Sequence, residues 1–421
     1  MRSLVVAKFS PLSPPDGLHG GLRRQDLFLS AIRRLSREVE FVWFARRDLI
    51  EALGPLCRHE AALSRAWGLP VRLFPFPERG GRRKTLWTVY GAGALSAWEQ
   101  ADCYPATGPD QVAGLAARLA SRPDLVFVSR LPPMGALVRT GARPPRLFFD
   151  LDDVEHRKLF RGARELPRGP GRLLYAAHVL QLMLAERRAA GMASATFVCS
   201  DEDRRHLRRV GMGRGVEVVP NGLPVPPSPA PPCPEPTMLF LGGYGYDPNA
   251  AAAHRLVTRI FPRVRQQVPE ARLVVAGTLP ERVASFRSAP PGVEFPGFVP
   301  DLDRLYAASR VVVCPVTVGG GTRLKLVEAA SYGRPMVSTR LGAEGLAFED
   351  GREIVLRDDD DGFAAACASL LRDDAACARL GAAARARMTA SYAAKGIVDQ
   401  IVNLMGGGQA RSPFSNGAER D

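Results

Sequence analysis

Along the chain, short apolar runs alternate with longer stretches whose apolar residues return every three or four positions. The runs at 4–7, 39–44, 125–129, 146–150, 196–199 and 216–219 predict strands, and the intervening periodicity predicts helices, which together make the βα alternation of a doubly wound sheet. The pattern then breaks. Between Pro224 and Pro236 prolines crowd the chain, and a segment so short of N–H donors holds neither helix nor central strand, so it predicts an extended linker. Beyond it the alternation restarts, with strands predicted at 238–241, 273–276, 293–295, 311–314 and 335–338. Helices are predicted at 250–267, 302–308, 322–333, 358–371 and 375–404. The expected organisation is therefore a first α/β domain over 1–222, a linker over 223–236, a second α/β domain over 237–405 and a Gly-rich polar tail, expected to be disordered, over 406–421. The final helix is a candidate to cross back to the first domain.

Composition narrows the setting. A chain of 421 residues with 46% hydrophobic content is long enough to bury two cores. Its formal charge of +14 and pI near 10.0 favour anionic partners, although lysine occurs only at Lys8, Lys84, Lys158, Lys325 and Lys395, an arginine bias that also fits a GC-rich genome. Nucleic acid is not the expected partner, since no basic motif interleaved with aromatics and no zinc-finger spacing is present. Seven scattered cysteines, odd in number and without C-x-x-C spacing, point to a reducing compartment without a disulfide framework; Cys199 and Cys314 end apolar runs and read as buried strand residues. Leu4–Ala7 is too short for a secretory core, and the apolar run 173–185 is too short to span a bilayer. A cytoplasmic protein is expected, with peripheral membrane attachment suggested by Arg79, Arg82, Arg83 and Lys84 beside Leu86, Trp87 and Tyr90.

The most informative chemistry lies at Val318-Gly319-Gly320-Gly321-Thr322-Arg323-Leu324-Lys325-Leu326-Val327-Glu328. Three glycines allow close backbone approach, and the helix that follows points free N–H groups and its dipole at an anion. Arg323 and Lys325 add charge in the first turn. Glu328 lies seven positions beyond Gly321 and three beyond Lys325, so loop end, lysine and carboxylate share one face. A carboxylate two turns from a phosphate suits hydroxyl groups such as a ribose offers, and the set suggests a nucleotide diphosphate. A second glycine-rich loop, Gly242-Gly243-Tyr244-Gly245-Tyr246, joins strand to helix at the sheet edge where such folds bind ligands, completing a split phosphate site that includes Gly243 and Tyr244.

These motifs, with Val218-Val219-Pro220-Asn221-Gly222, Val274-Val275-Ala276-Gly277 and Val293-Glu294-Phe295-Pro296-Gly297-Phe298-Val299, resemble in residue and order the retaining glycosyltransferases of the GT-B fold, family 4 (group 1) type. The resemblance covers about 190 residues of the second half. It implies two Rossmann-like domains facing across a cleft, with Glu328 on the donor ribose and Gly320, Gly321 and Thr322 at the donor phosphates. Two departures stand out. Gly320 occupies the place of the first of the family's two glutamates, and no Arg and Lys pair follows Leu239-Phe240-Leu241-Gly242; Arg323 and Lys325 are inferred to replace that pair.

In the first half, the loop before Gly20-Gly21 opens a helix and is another candidate anion site, with Arg23 and Arg24 close by and His19 a weaker candidate; the resemblance places the matching loop against donor phosphates and acceptor. The run Asp150-Leu151-Asp152-Asp153 ends a strand. Its Asp-x-Asp spacing imitates a divalent-metal motif, which would be redundant beside the cationic phosphate site, whereas the resemblance expects a histidine or acid facing the sugar, here Asp152. The expectation is an enzyme with Asp152, Arg323 and Lys325 as catalytic residues and no metal, moving a sugar from a nucleotide-sugar donor to a glycan or lipid-linked acceptor in cell-envelope or exopolysaccharide synthesis. A catalytically silent sugar-nucleotide or glycan-binding protein of the same fold is the alternative.

Overall fold

In the computed structural model the chain forms two compact units, Met1–Val219 with the segment from Val398 on, and Pro220–Ile397. The structure describes residues 1–12, 20–78, 87, 91–99, 107–162, 169–231 and 233–407. The expected tail from 408, His19 and all of the basic segment 79–90 except Trp87 lie outside them.

The N-terminal unit is built on parallel strands β1 (Arg2–Ala7), β2 (Glu38–Ala45), β3 (Val71–Pro77), β4 (Leu125–Ser129), β5 (Leu147–Asp152), β6 (Ala195–Val198) and β7 (Val216–Val218), ordered β3-β2-β1-β4-β5-β6-β7. Helices cover both faces, so β1 and β4 are buried almost throughout, which is why they read as continuous apolar runs rather than alternating ones. Phe28, on the helix Gly20–Leu35, stacks on Phe127 of β4 at 4.8 Å between ring centroids. Strand β3 carries Pro75 and Pro77 and was not legible as a strand; it occupies the sheet edge, where missing N–H donors are tolerated.

The C-terminal unit contains β8 (Thr237–Leu241), β9 (Arg272–Ala276), β10 (Val293–Gly297), β11 (Val311–Cys314), β12 (Met336–Ser338) and β13 (Val355–Leu356), again parallel, in the order β10-β9-β8-β11-β12-β13. Phe240, Leu256, Phe261, Val275 and Phe363 are among its fully buried side chains. The predicted helix 250–267 is continuous but widens to a π-helical segment over Leu256–Ile260, immediately before Pro262, whose ring and missing N–H an α-helical ladder would not admit.

Two expectations need correction. The proline-rich segment is extended, but it lies along the C-terminal unit. The Pro226 carbonyl accepts from Arg385 Nη2 at 2.6 Å, Ala230 N–H donates to Tyr332 O at 2.9 Å, and the Pro231 carbonyl accepts from Arg334. The single helix expected over 375–404 is two, Asp374–Tyr392 and Ala394–Gly406. At the break, Leu223 donates to Tyr392 O and accepts from Ala394 N–H, taking the backbone groups a continuous helix would have used. Gly222 makes this possible, because a Cβ there would sit 2.4 Å from Ile397 Cδ1 and 2.9 Å from Tyr392 O.

At the ends of β8 and β9, Gly277 has φ +142°, and an added Cβ would lie 1.6 Å from the Gly242 carbonyl oxygen. Gly277→Ala is expected to destabilise the protein by about 2 kcal/mol or more. Gly297→Ala, at φ +73° with open space around the new Cβ, carries the left-handed strain alone, about 1–2 kcal/mol. Urea unfolding followed by circular dichroism checks the order of the two.

Candidate functional site

In the C-terminal unit the strand order reverses between β8 and β11, so the loops leaving these two strands diverge and open a crevice at the carboxyl edge of the sheet. They are the two glycine-rich loops. The first runs from Gly242, and the second runs over 315–323 into the helix Leu324–Ser331. Their side chains knit them together. Asn249 donates through Nδ2 to the Gly243 carbonyl at 3.1 Å and accepts through Oδ1 from Lys325 Nζ at 3.0 Å. Gly319, at φ +107°, would put a Cβ 2.8 Å from the Tyr246 hydroxyl.

Lys325 lies half-buried over the Phe240 ring, its Nζ 4.2 Å from the centroid. Gly242 leaves it room: a Cβ there would be 3.2 Å from the ammonium. No carboxylate pairs with Lys325 among the described residues, and burial, with Arg323 adding to it, lowers its pKa to about 8. A weakly solvated cation at a helix amino end is a receptor for a phosphate.

Arg323 behaves differently from expectation. It is the residue preceding the helix rather than part of its first turn, it is buried, and its Nη1 donates to the carbonyls of Gly320 and Gly321. The guanidinium thus shapes the triple-glycine loop from inside, and among the described residues its buried Nε has no acceptor. Thr322 is held by Asn221, whose Nδ2 donates to Oγ1 at 2.8 Å, so the Pro220-Asn221-Gly222 motif buttresses the same loop.

Glu328, farther along the helix, is buried, and its Oε2 accepts from the Tyr306 hydroxyl at 3.1 Å. Tyr306 stacks on Tyr332 at 4.4 Å, and this pair fixes the carboxylate two turns from the loop. Tyr244 is a correction. Its ring is buried in the core, its hydroxyl donates to Ala276 O at 3.0 Å, its N–H donates to Thr278 O, and burial pushes the phenol well above its ordinary range. It braces the strand end and offers no side chain to a ligand; Tyr246 is the exposed phenol of the loop.

In the N-terminal unit the order reverses between β1 and β4, and the polar cluster gathers at the ends of β4 and β5. Arg24, read as lying close to a candidate anion site, is buried. Its Nε donates to Asp150 Oδ1 at 2.9 Å, its Nη2 to the same oxygen at 2.6 Å, and its Nη1 to Val219 O at 2.7 Å. Asp152, read as facing the reacting sugar, is buried too, with Arg24 Nε 3.3 Å from Oδ1 and Arg130 bound to Oδ2. Both Asp152 and Arg130 adopt positive φ, 63° and 71°, and the β5 to β6 register shifts between Asp150 and Asp152. Two carboxylates so tied to two arginines make a poor cation site. Asp152, Asp153 and Cys199 do converge within 4.8 Å, but burial holds the Cys199 thiol far above its usual range and raises Asp153 to about 7. Gly20 starts the helix Gly20–Leu35, and a Cβ on Gly21 would lie 2.8 Å from the Phe9 ring and 3.0 Å from Arg130 Nη2. Gly21 therefore admits Arg130, which sequence reasoning missed; its one sequence mark is a position directly after a predicted strand. Asn249 and Tyr306 were missed likewise.

Residues 235–373 match the family model described as Glycosyl transferases group 1. Solved structures similar to the whole chain include Anabaena HepE in complex with UDP and glucose, at 16% identity and TM-score 0.61 over 97% of this chain and 100% of that one. Sucrose-phosphate synthase from Thermosynechococcus elongatus is similar at 17% identity and TM-score 0.65, over 96% and 98%. A mutant of S. aureus TarM in complex with Fondaparinux, alpha-GlcNAc-glycerol and UDP aligns at 13% identity and TM-score 0.54, over 70% of this chain and 59% of that one. The fold is GT-B. No curated protein matches the chain.

Lys325 yields a test with opposite signs. Its pKa of about 8 is below the ordinary 10.5, so between those values the unfolded chain binds the extra proton and stability rises with pH. Anion affinity falls over the same window as the ammonium is lost. Thermal midpoints and pyrophosphate titrations at pH 7 and 9.5 should show both trends, and Lys325→Met should flatten both.

Proposed function

We propose that the protein is a retaining glycosyltransferase that moves a sugar from a nucleotide diphosphate donor to a hydroxyl of a glycan or lipid-linked acceptor, in the cytoplasm, in the synthesis of envelope or extracellular polysaccharide. The observation that carries this reading is the Leu324–Ser331 helix, with a partly desolvated lysine at its amino end and a tyrosine-held glutamate two turns on. The family match of the same segment and the similarity to a structure holding UDP and glucose support it.

In this scheme Glu328 takes the two ribose hydroxyls, while the helix N–H groups, Gly243, Gly320, Gly321 and Thr322 cradle the diphosphate. Lys325 meets the charge that develops on the leaving group, where a preorganised cation contributes most. Arg323 serves catalysis by holding the loop that presents those groups. In the N-terminal unit, Asp152 fixes Arg130, whose guanidinium is partly exposed, beside Gly20 and Gly21. Arg130 is thereby offered to an anionic part of donor or acceptor.

A silent nucleotide-sugar-binding protein is the second reading, favoured by Gly320 standing where a carboxylate would meet the sugar. Release of nucleoside diphosphate from a panel of nucleotide sugars, with and without acceptors, separates the two. Tight donor binding without release in any combination would favour the silent protein.

Glu328→Gln keeps an acceptor for Tyr306 but removes the charge, and is expected to weaken nucleoside diphosphate binding about tenfold or more by calorimetry, since hydrogen bonds to a charged group are worth about 1.5–3 kcal/mol. Unchanged affinity would remove Glu328 from the ribose. Turnover is expected to survive excess chelator, because Lys325 and the helix amino end supply the charge a cation would otherwise bring. Abolition by chelator with rescue by manganese would overturn that.

A further inference from the structure

We propose that the outer face of the helix Pro170–Met192 docks the N-terminal unit on an anionic lipid surface. This helix satisfies its inward face fully: Tyr175, His178, Val179, Leu182, Ala185, Glu186 and Ala189 are buried. Its outward face follows at helical spacing through Leu173, Ala176, Leu180, Leu184 and Arg187. A solvent-facing helix surface is ordinarily polar. Here Leu173 is 75% exposed, Leu180 53% and Leu184 46%, an apolar ridge about 16 Å long.

The ridge has company. The helices Ala92–Leu95 and Glu155–Gly162 both pack against this one, and each carries an exposed apolar side chain, Leu95 at 75% and Phe160 at 60%. Trp87, also more than half exposed, lies over Gly91 just before the first of them. Several such residues on adjoining helices exceed the scattered single exposures normal for a surface.

The charge at the ridge selects the occupant. Arg172 at one end and Arg187 and Arg188 at the other are exposed, while the helix's one acid, Glu186, is turned inward, where it accepts from the His156 backbone N–H. A second copy fits badly. Antiparallel pairing would set Arg172 of each helix against Arg187 and Arg188 of the other, and parallel pairing would set each arginine against itself. A surface apolar beneath and negative above meets both features, with the leucines at the acyl boundary and the arginines among the headgroups. None of the described helices is long and apolar enough to cross a membrane, so attachment would be from one side. This inference does not depend on the transfer reading, although it would bring the N-terminal unit to lipid-linked molecules.

Co-sedimentation of the full chain with phosphatidylcholine vesicles containing 30% phosphatidylglycerol tests it. The wild type is expected to pellet with these vesicles, and Leu173→Glu/Leu180→Glu to bind at least tenfold more weakly with an unchanged thermal midpoint and circular dichroism spectrum. Arg187→Ser/Arg188→Ser should lose most of the preference over pure phosphatidylcholine, about fivefold per arginine. Failure of the wild type to pellet at low salt overturns the proposal, as does equal pelleting of the leucine double variant. So does a lipid-free dimer of the wild type that the leucine variant turns into a monomer, which would assign the ridge to a second copy. If the leucine variant is destabilised, Leu180→Ser alone, compared at matched stability, decides by the same criterion.

Discussion

A cation held where water solvates it poorly is the constraint around which the two glycine-rich loops of the C-terminal unit are arranged. Lys325 is placed over an aromatic ring, at the positive end of a helix, with Arg323 next door and, among the described residues, an amide oxygen as its hydrogen-bond partner. Burial disfavours the charged form of Lys325 and lowers its pKa to about 8, a cost that a bound anion of the proposed kind would offset. Much of the surrounding sequence serves that placement. Gly242 leaves space for the ammonium, Gly277 lets the neighbouring strand end approach Gly242, and Asn249 ties the lysine to the first loop. The glycines are thus consequences of the cation's position as much as of any ligand's.

The N-terminal unit resolves its own charge differently. Arg24, Arg130, Asp150 and Asp152 form a compensated array, and a buried pair of this kind costs about 3–5 kcal/mol to break on one side. The ion pairs hold Arg130 and Asp152 at positive φ, a conformation that costs more for arginine than for aspartate. The result is one arginine fixed in a partly exposed position. In the N-terminal unit arginines and aspartates offset one another, whereas in the C-terminal unit Lys325 has no carboxylate partner among the described residues.

What the sequence by itself determined is the alternation of strands and helices, the division into two α/β halves and the place of the glycine loops. These are local: apolar runs buried on both faces, prolines that exclude helix, and glycines before a helix each declare themselves within a few residues. The strand-to-helix position of the Gly319–Glu328 stretch was legible for the same reason. The proline-bearing edge strand β3 was not, because its tolerance of missing N–H donors depends on having a neighbour on one side only.

Only the tertiary structure decided which charged and aromatic groups were free. Tyr244 and Tyr246 are two positions apart in one loop, yet one braces the core and the other is exposed, a choice made by the carbonyls of β8 and β9 rather than by the loop. Arg24 is buried against Asp150, 126 positions away in sequence. Asn249, Tyr306 and Arg130 each acquire a partner from a distant segment, Lys325, Glu328 and Asp152, which no local pattern announces, although Arg130 does stand directly after a predicted strand. Side-chain pairing between remote segments is fixed by how strands order themselves in the sheet, and that order is written in packing rather than in spacing.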